Sequence, residues 1–227
     1  MKKMLLATLV GGALSMMAAG AQATPIVVGT NNGNNCFPFG NCGYVGEYQE
    51  IYSSSSFSGP YTIGQIAFAS GRFAGGSASY NLTLGLGTTT SSPSAPSSNY
   101  ASNKGADFTT VFSGTQNATL VANDSFDLVF NLTTPFMFNP ASGNLLLDVV
   151  MNSSSGPLNF FDAGNNSNVG RVFNLSGTGS STAQGGYGLV TRFDGPQSST
   201  VPEPASLALL GIGLLGLGAT RRRKQMA

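Results

Sequence analysis

The sequence contains no histidine and no tryptophan, only two cysteines, and few charges of either sign. Charged residues make up 8% of 227 positions, against about 25% in an ordinary soluble domain. Without histidine, a Ser-His-Asp or Cys-His catalytic unit and a His-ligated metal are excluded. Ten basic residues, six of them at the chain ends, give no broad basic patch, so nucleic acid is not an expected partner. What is abundant is turn-forming and hydroxylic: 31 glycines, 11 prolines, and many serines, threonines and asparagines. The length suits one domain with appendages.

Both ends read as addresses. Lys2 and Lys3 precede an apolar run from Met4 to Ala18, and Ala21 and Ala23 frame a small-x-small cleavage site. That order defines a Sec signal peptide over 1–23, to be removed by signal peptidase so that Thr24 begins the mature chain. Its apolar core, about 15 residues, is short of the ~20 that span a bilayer. At the other end, Pro202-Glu203-Pro204 is followed by an uncharged Gly- and Leu-rich run, 205–220, and then Arg221-Arg222-Arg223-Lys224. As a helix, 205–220 reaches about 24 Å, a short transmembrane span with arginines able to snorkel. The basic cluster belongs on the cytoplasmic side, which leaves the preceding chain on the outer face. The two prolines keep the tripeptide extended, open to a membrane-embedded protease.

Between these ends the pattern has period two. Ala78, Tyr80, Leu82, Leu84 and Leu86 alternate with small polar residues, as do Phe126, Leu128, Phe130 and Leu132. Leu145 to Met151 reads as a strand buried on both faces, and weaker strands lie near 44–52, 62–68, 108–112, 171–175 and 187–193. Turn clusters separate them, and no stretch between Thr24 and Val201 has helical period. The expectation is an all-β antiparallel sandwich or jelly roll over 24–194, flanked by an N-terminal signal helix and a C-terminal transmembrane helix. Ser91 to Ser98 reads as a long loop within that domain, and 195–201 as a flexible linker.

Chemistry has few places to live. Cys36 and Cys42 are six apart in an exported chain, so a local disulfide is expected. Glu47 and Glu50 point to opposite strand faces, as do Asp124 and Asp127, so solvated surface charge is the expected role of these acids. Lys104 is the one lysine between the two end signals, and nothing around it makes a Ser-Lys pair convincing. Asp162, Asn166 and Asn168 form a weak calcium candidate in a loop that does not match an EF-hand, so no metal and no cofactor is assigned. Tyr44, Tyr48 and Tyr52 share one strand face and form a possible ligand platform, with core packing the stronger alternative. Thr88-Thr89-Thr90 repeats nowhere, which disfavours an ice-binding array.

The C-terminal order of tripeptide, short span and basic cluster resembles the PEP-CTERM sorting signal, here over 202–227. The segments 48–60 and 135–149 resemble passenger domains of the same proteins. The resemblance implies an exosortase partner, a single-pass inner-membrane intermediate, and then release to the cell surface or outside it. It also implies a β fold without an assigned activity. A non-enzymatic surface or matrix protein, touching extracellular polysaccharide, is the leading expectation. A glycan-binding sandwich is the alternative, with ice binding behind it. Removing both addresses leaves Arg72, Lys104, Arg171 and Arg192 against eight acids, a net of −4, or −5 if Glu203 stays with the domain, so the mature domain is mildly acidic.

Overall fold

A computed structural model describes residues 24–72, 75–121, 124–174 and 181–196. The expected signal peptide and the sorting tail with its span lie outside the described residues. Among the described residues no helix is long and apolar enough to cross a membrane, and the longest helical piece is the single turn α1, Tyr100–Asn103.

In chain order the strands are β1 (Ile26–Val28), β2 (Gly33–Asn35), β3 (Gly46–Tyr52), β4 (Tyr61–Ser70), β5 (Gly76–Thr89), β6 (Thr109–Leu120), β7 (Ser125–Phe138), β8 (Asn144–Ser155), β9 (Phe161–Asn165), β10 (Val169–Asn174), β11 (Ser181–Gln184), β12 (Tyr187–Leu189) and β13 (Thr191–Asp194). They form two sheets with antiparallel pairing throughout. Sheet one runs β1-β13-β4-β9-β12, with β7 also on β4 and β2 also on β9. Sheet two runs β11-β10-β3-β8-β5-β6.

The alternating side chains of the sequence close the core between the sheets. Ala78, Tyr80, Leu82, Leu84 and Leu86 of β5 are buried, as are Leu128 and Phe130 of β7 and Leu145, Leu147 and Val149 of β8. Phe39, held inside the Cys36–Cys42 loop, meets Phe68, Phe130 and Phe161 at ring-centroid distances of 4.6, 5.9 and 5.7 Å. Each large apolar side chain buried in this way is worth about 1.5–3 kcal/mol.

The outer face of sheet two is partly covered, which explains why Ile51 and Leu146 are buried although they point away from the core. The segment 91–108 lies over that face. Gly85 and Gly87 make room for it: a Cβ on Gly85 would sit 2.3 Å from the Phe108 ring, and one on Gly170 would sit 2.0 Å from the Pro93 carbonyl oxygen. The Ser/Pro-rich run is therefore a strap fitted to the sheet. Asn103, at the end of α1, fastens it by donating to Gln49 Oε1 (2.9 Å) and to the Ser97 carbonyl (2.8 Å). Gly195 and Pro196, the start of the expected linker, are still packed, since a Cβ on Gly64 would meet Pro196 Cα at 2.3 Å.

Candidate functional site

Of the eight acids among the described residues, Glu50, Asp148, Asp162 and Asp194 are buried. The expectation of solvated surface charge is corrected for Glu50. Glu50 stands on the inner face of β3 between Tyr48 and Tyr52. Its Oε1 accepts from the Tyr48 hydroxyl (2.7 Å) and the Leu189 N–H (2.7 Å), and its Oε2 accepts from the Tyr52 hydroxyl. Tyr52 also meets Thr191 Oγ1 at 2.9 Å. Burial raises the Glu50 carboxyl above its ordinary range, opposed by those three hydrogen bonds and by Arg171. Arg171 faces Glu50 across the β3–β10 ladder, stacks between Phe173 and Tyr187, and donates through Nε to Gln184 Oε1. This is a polar tie between the two sheets.

Tyr44, Tyr48 and Tyr52 are consequently no ligand platform. They are 1%, 0% and 0% exposed: Tyr48 and Tyr52 point from β3 toward sheet one, Tyr44 precedes the strand and packs on Phe37 and Tyr48, and their hydroxyls are spent on Glu47 O, Glu50 Oε1 and Glu50 Oε2. The stronger alternative, core packing, is what the fold realises.

A second cluster lies under the strap. Lys104 Nζ bridges Glu47 Oε1 (2.9 Å) and Asp148 Oδ2 (3.2 Å), and Gln49 Nε2 donates to Asp148 Oδ1 (2.8 Å). The Asp148 carboxyl is raised to about 6, first by burial and then by neighbouring Glu47, with Gln49 and Lys104 pulling the other way. Lys104, paired with two carboxylates, anchors the strap. Clefts open on either side of the strap, one of about 390 Å³ lined by Glu47, Tyr100 and Asn174, the other of about 510 Å³ lined by Lys104, Asp107 and Met137.

The calcium candidate is also rearranged. Asp162 belongs to β9, not to a loop. Asn166 spends its amide on its own turn and on the segment after β1: Oδ1 accepts from the Asn168 N–H (2.8 Å) and Nδ2 donates to Thr30 Oγ1 (2.8 Å). The Asp162 side chain faces Asp124 instead. Burial first, and then Asp124 beside it, raise the Asp162 carboxyl to about 7. The expected trio of Asp162, Asn166 and Asn168 is thus replaced by a contact between β9 and the β6–β7 turn. Strand pairing took Asp162 out of the loop, and no local spacing signal marks Asp124 as its neighbour.

The uncovered part of sheet two presents rows of uncharged polar groups. In register, Ser77, Ser79, Asn81 and Thr83 of β5 face Thr119, Asn117, Thr115 and Ser113 of β6. Asn81 Nδ2 donates to Thr115 Oγ1 (3.1 Å), and Asn152 Nδ2 donates to Asn81 Oδ1 (3.0 Å). A shallow groove of about 310 Å³ runs over Ser77, Ser79, Asn117, Thr119 and Ser155. These groups repeat at roughly 4.8 Å across strands and roughly 7 Å along them.

The expected disulfide is formed between Cys36 and Cys42. Ala21 and Ala23, Pro202 to Pro204, and Arg221 to Lys224 lie outside the described residues. No curated protein and no solved structure matches the chain. Residues 200–224 match the family described as the PEP-CTERM protein-sorting motif. The chain therefore carries a PEP-CTERM sorting motif at its C-terminus, which implies exosortase as the processing partner and export to the surface or the medium.

Proposed function

We propose that this chain is an exported, non-enzymatic protein of the cell surface or extracellular matrix. On this reading the Sec translocon delivers it, and signal peptidase cuts after Ala23. The 205–220 segment holds it briefly in the inner membrane, and an exosortase releases it near Pro202-Glu203-Pro204. The sorting motif at 200–224 carries the reading. A disulfide suited to an oxidising compartment and carboxylates engaged in holding the fold together support it. Fractionation of producing cells tests it: the mature domain is expected in the outer or extracellular fraction. Retention in the cytoplasm overturns it.

A second reading, binding to polysaccharide, is favoured by the uncharged β5–β6 face. Side-chain hydroxyls and amides in two registered rows can exchange hydrogen bonds with sugar hydroxyls over a long contact, each worth little alone. The contact carries no charge and so should persist in salt. Pull-down on polysaccharide from the producing cells tests this. Asn81→Leu with Thr115→Leu should reduce retention several-fold, whereas unchanged retention removes this face from consideration.

A further inference from the structure

We propose that Asp124 and Asp162, together with the side-chain oxygen of Asn34, form a site for a divalent cation of the calcium class. The site gathers three separate pieces of chain. The Asp124 N–H donates to the Ser70 carbonyl (2.8 Å), which pins the β6–β7 turn to the end of β4. Ser70 pairs with Phe161, so Asp162 follows at the next position of β9. Asn34 stands opposite Asp162 in the β2–β9 ladder.

The oxygens converge on a gap that a side chain would otherwise fill. A Cβ on Gly71 would lie 2.5 Å from Asn34 Oδ1 and 2.9 Å from Asp162 Oδ1. Asn34 Oδ1 accepts from the Arg72 N–H (2.7 Å), which fixes its direction and leaves its second lone pair. Asn31 Nδ2 donates to Asp124 Oδ1.

The observation that points to a ligand is at Asp162. This residue is 2% exposed, yet its Oδ2 has no hydrogen-bond partner. A buried carboxylate oxygen without a partner is costly, and a like charge beside it adds to that cost. A cation between the two carboxylates removes both penalties at once. The donors are all oxygen. The sequence has no histidine and both cysteines are in the disulfide, so the metals that prefer nitrogen or sulfur have nothing to bind. Calcium takes 6–8 oxygens in flexible geometry, and water completes a set of three side chains more readily for calcium than for magnesium. Calcium sites of extracellular modules have Kd about 10⁻⁴–10⁻³ M, the range expected of this one.

The test is calcium titration of the purified exported protein, stripped with EDTA, by calorimetry and thermal melting, with magnesium and with sodium chloride at matched ionic strength. One equivalent of calcium should bind, and 10 mM should raise Tm by roughly 4 °C or more. Asp124→Asn keeps a residue that tolerates the left-handed φ of +60° at this position, so it should fold. It should weaken calcium binding about tenfold or more while melting no lower than the wild type in EDTA, since it removes the like charge beside Asp162. Asp162→Asn should do the same. No heat and no Tm response up to 20 mM calcium would show two carboxyls sharing a proton and would overturn the proposal. So would Asp124→Asn binding calcium as the wild type does, or sodium chloride reproducing the shift.

Discussion

Replacing Glu50 separates a polar tie from ordinary core packing. Glu50→Ala removes the acceptor for the Leu189 N–H and the Tyr48 hydroxyl, both buried, and leaves Arg171 facing an empty position. The Tyr52 hydroxyl keeps Thr191 Oγ1. Two orphaned donors cost about 1–3 kcal/mol each. A loss of about 4 kcal/mol is most of the margin of a domain stable by about 5–15 kcal/mol. Glu50→Gln behaves differently. Its Oε1 still accepts from the Leu189 N–H, and its Nε2 donates to the Tyr52 hydroxyl, which turns its own proton to Thr191. The expected cost is about 1–2 kcal/mol, mainly the lost attraction to Arg171. Urea unfolding, followed by far-UV circular dichroism because the chain has no tryptophan, gives both numbers. Glu50→Ala within about 1 kcal/mol of wild type would refute the tie, and equal losses for Ala and Gln would refute the assignment of donors.

Asp148 makes a pH signature. Its folded value of about 6 lies above the ordinary 3.8, so the folded state holds this proton more tightly. That contribution is complete below about 3.8 and is lost as pH rises through about 6, so the mature domain should melt higher at pH 5 than at pH 7.5. Asp148→Asn, which keeps an acceptor for Gln49 and frees Lys104 to pair with Glu47 alone, should reduce that slope, with the remainder coming from the raised Asp162 carboxyl; an unchanged slope refutes the assignment. Reducing Cys36–Cys42 should cost about 2 kcal/mol, read as a lower urea midpoint at unchanged slope, because the bridge closes a short loop that carries buried Phe39. Phe130→Asp sets an unpaired charge at a fully buried position, and a soluble, protease-resistant variant would refute the facing of β7.

Strand facing was legible wherever one face is core and the other is small and polar. Ala78 to Leu86 gives the clearest case, because its alternation is set by burial alone. The double burial of the Leu145 strand was legible too, but its cause was not. The strap over sheet two is a Ser/Pro run whose fit depends on Gly85 and Gly170, and no local pattern marks a glycine that receives a distant segment. β9 escaped for a related reason: Phe161-Asp162-Ala163-Gly164-Asn165 reads as turn chemistry, and only pairing with β2 and β12 makes it a strand. The same applies to the acids. Spacing correctly sets Glu47 and Glu50 on opposite faces, yet burial of Glu50 depends on Tyr48, Tyr52 and Arg171, which come together only in the assembled sandwich. Cys36 and Cys42 were predictable because their pairing is local.

On the proposed reading, the PEP-CTERM motif governs where this domain ends up. Intact-mass analysis of the protein recovered from the surface and medium of producing cells tests it most directly. The expected species begins at Thr24 and ends near Pro202-Glu203-Pro204, without the basic cluster. A mature species that still carries Arg221 to Lys224 would contradict it.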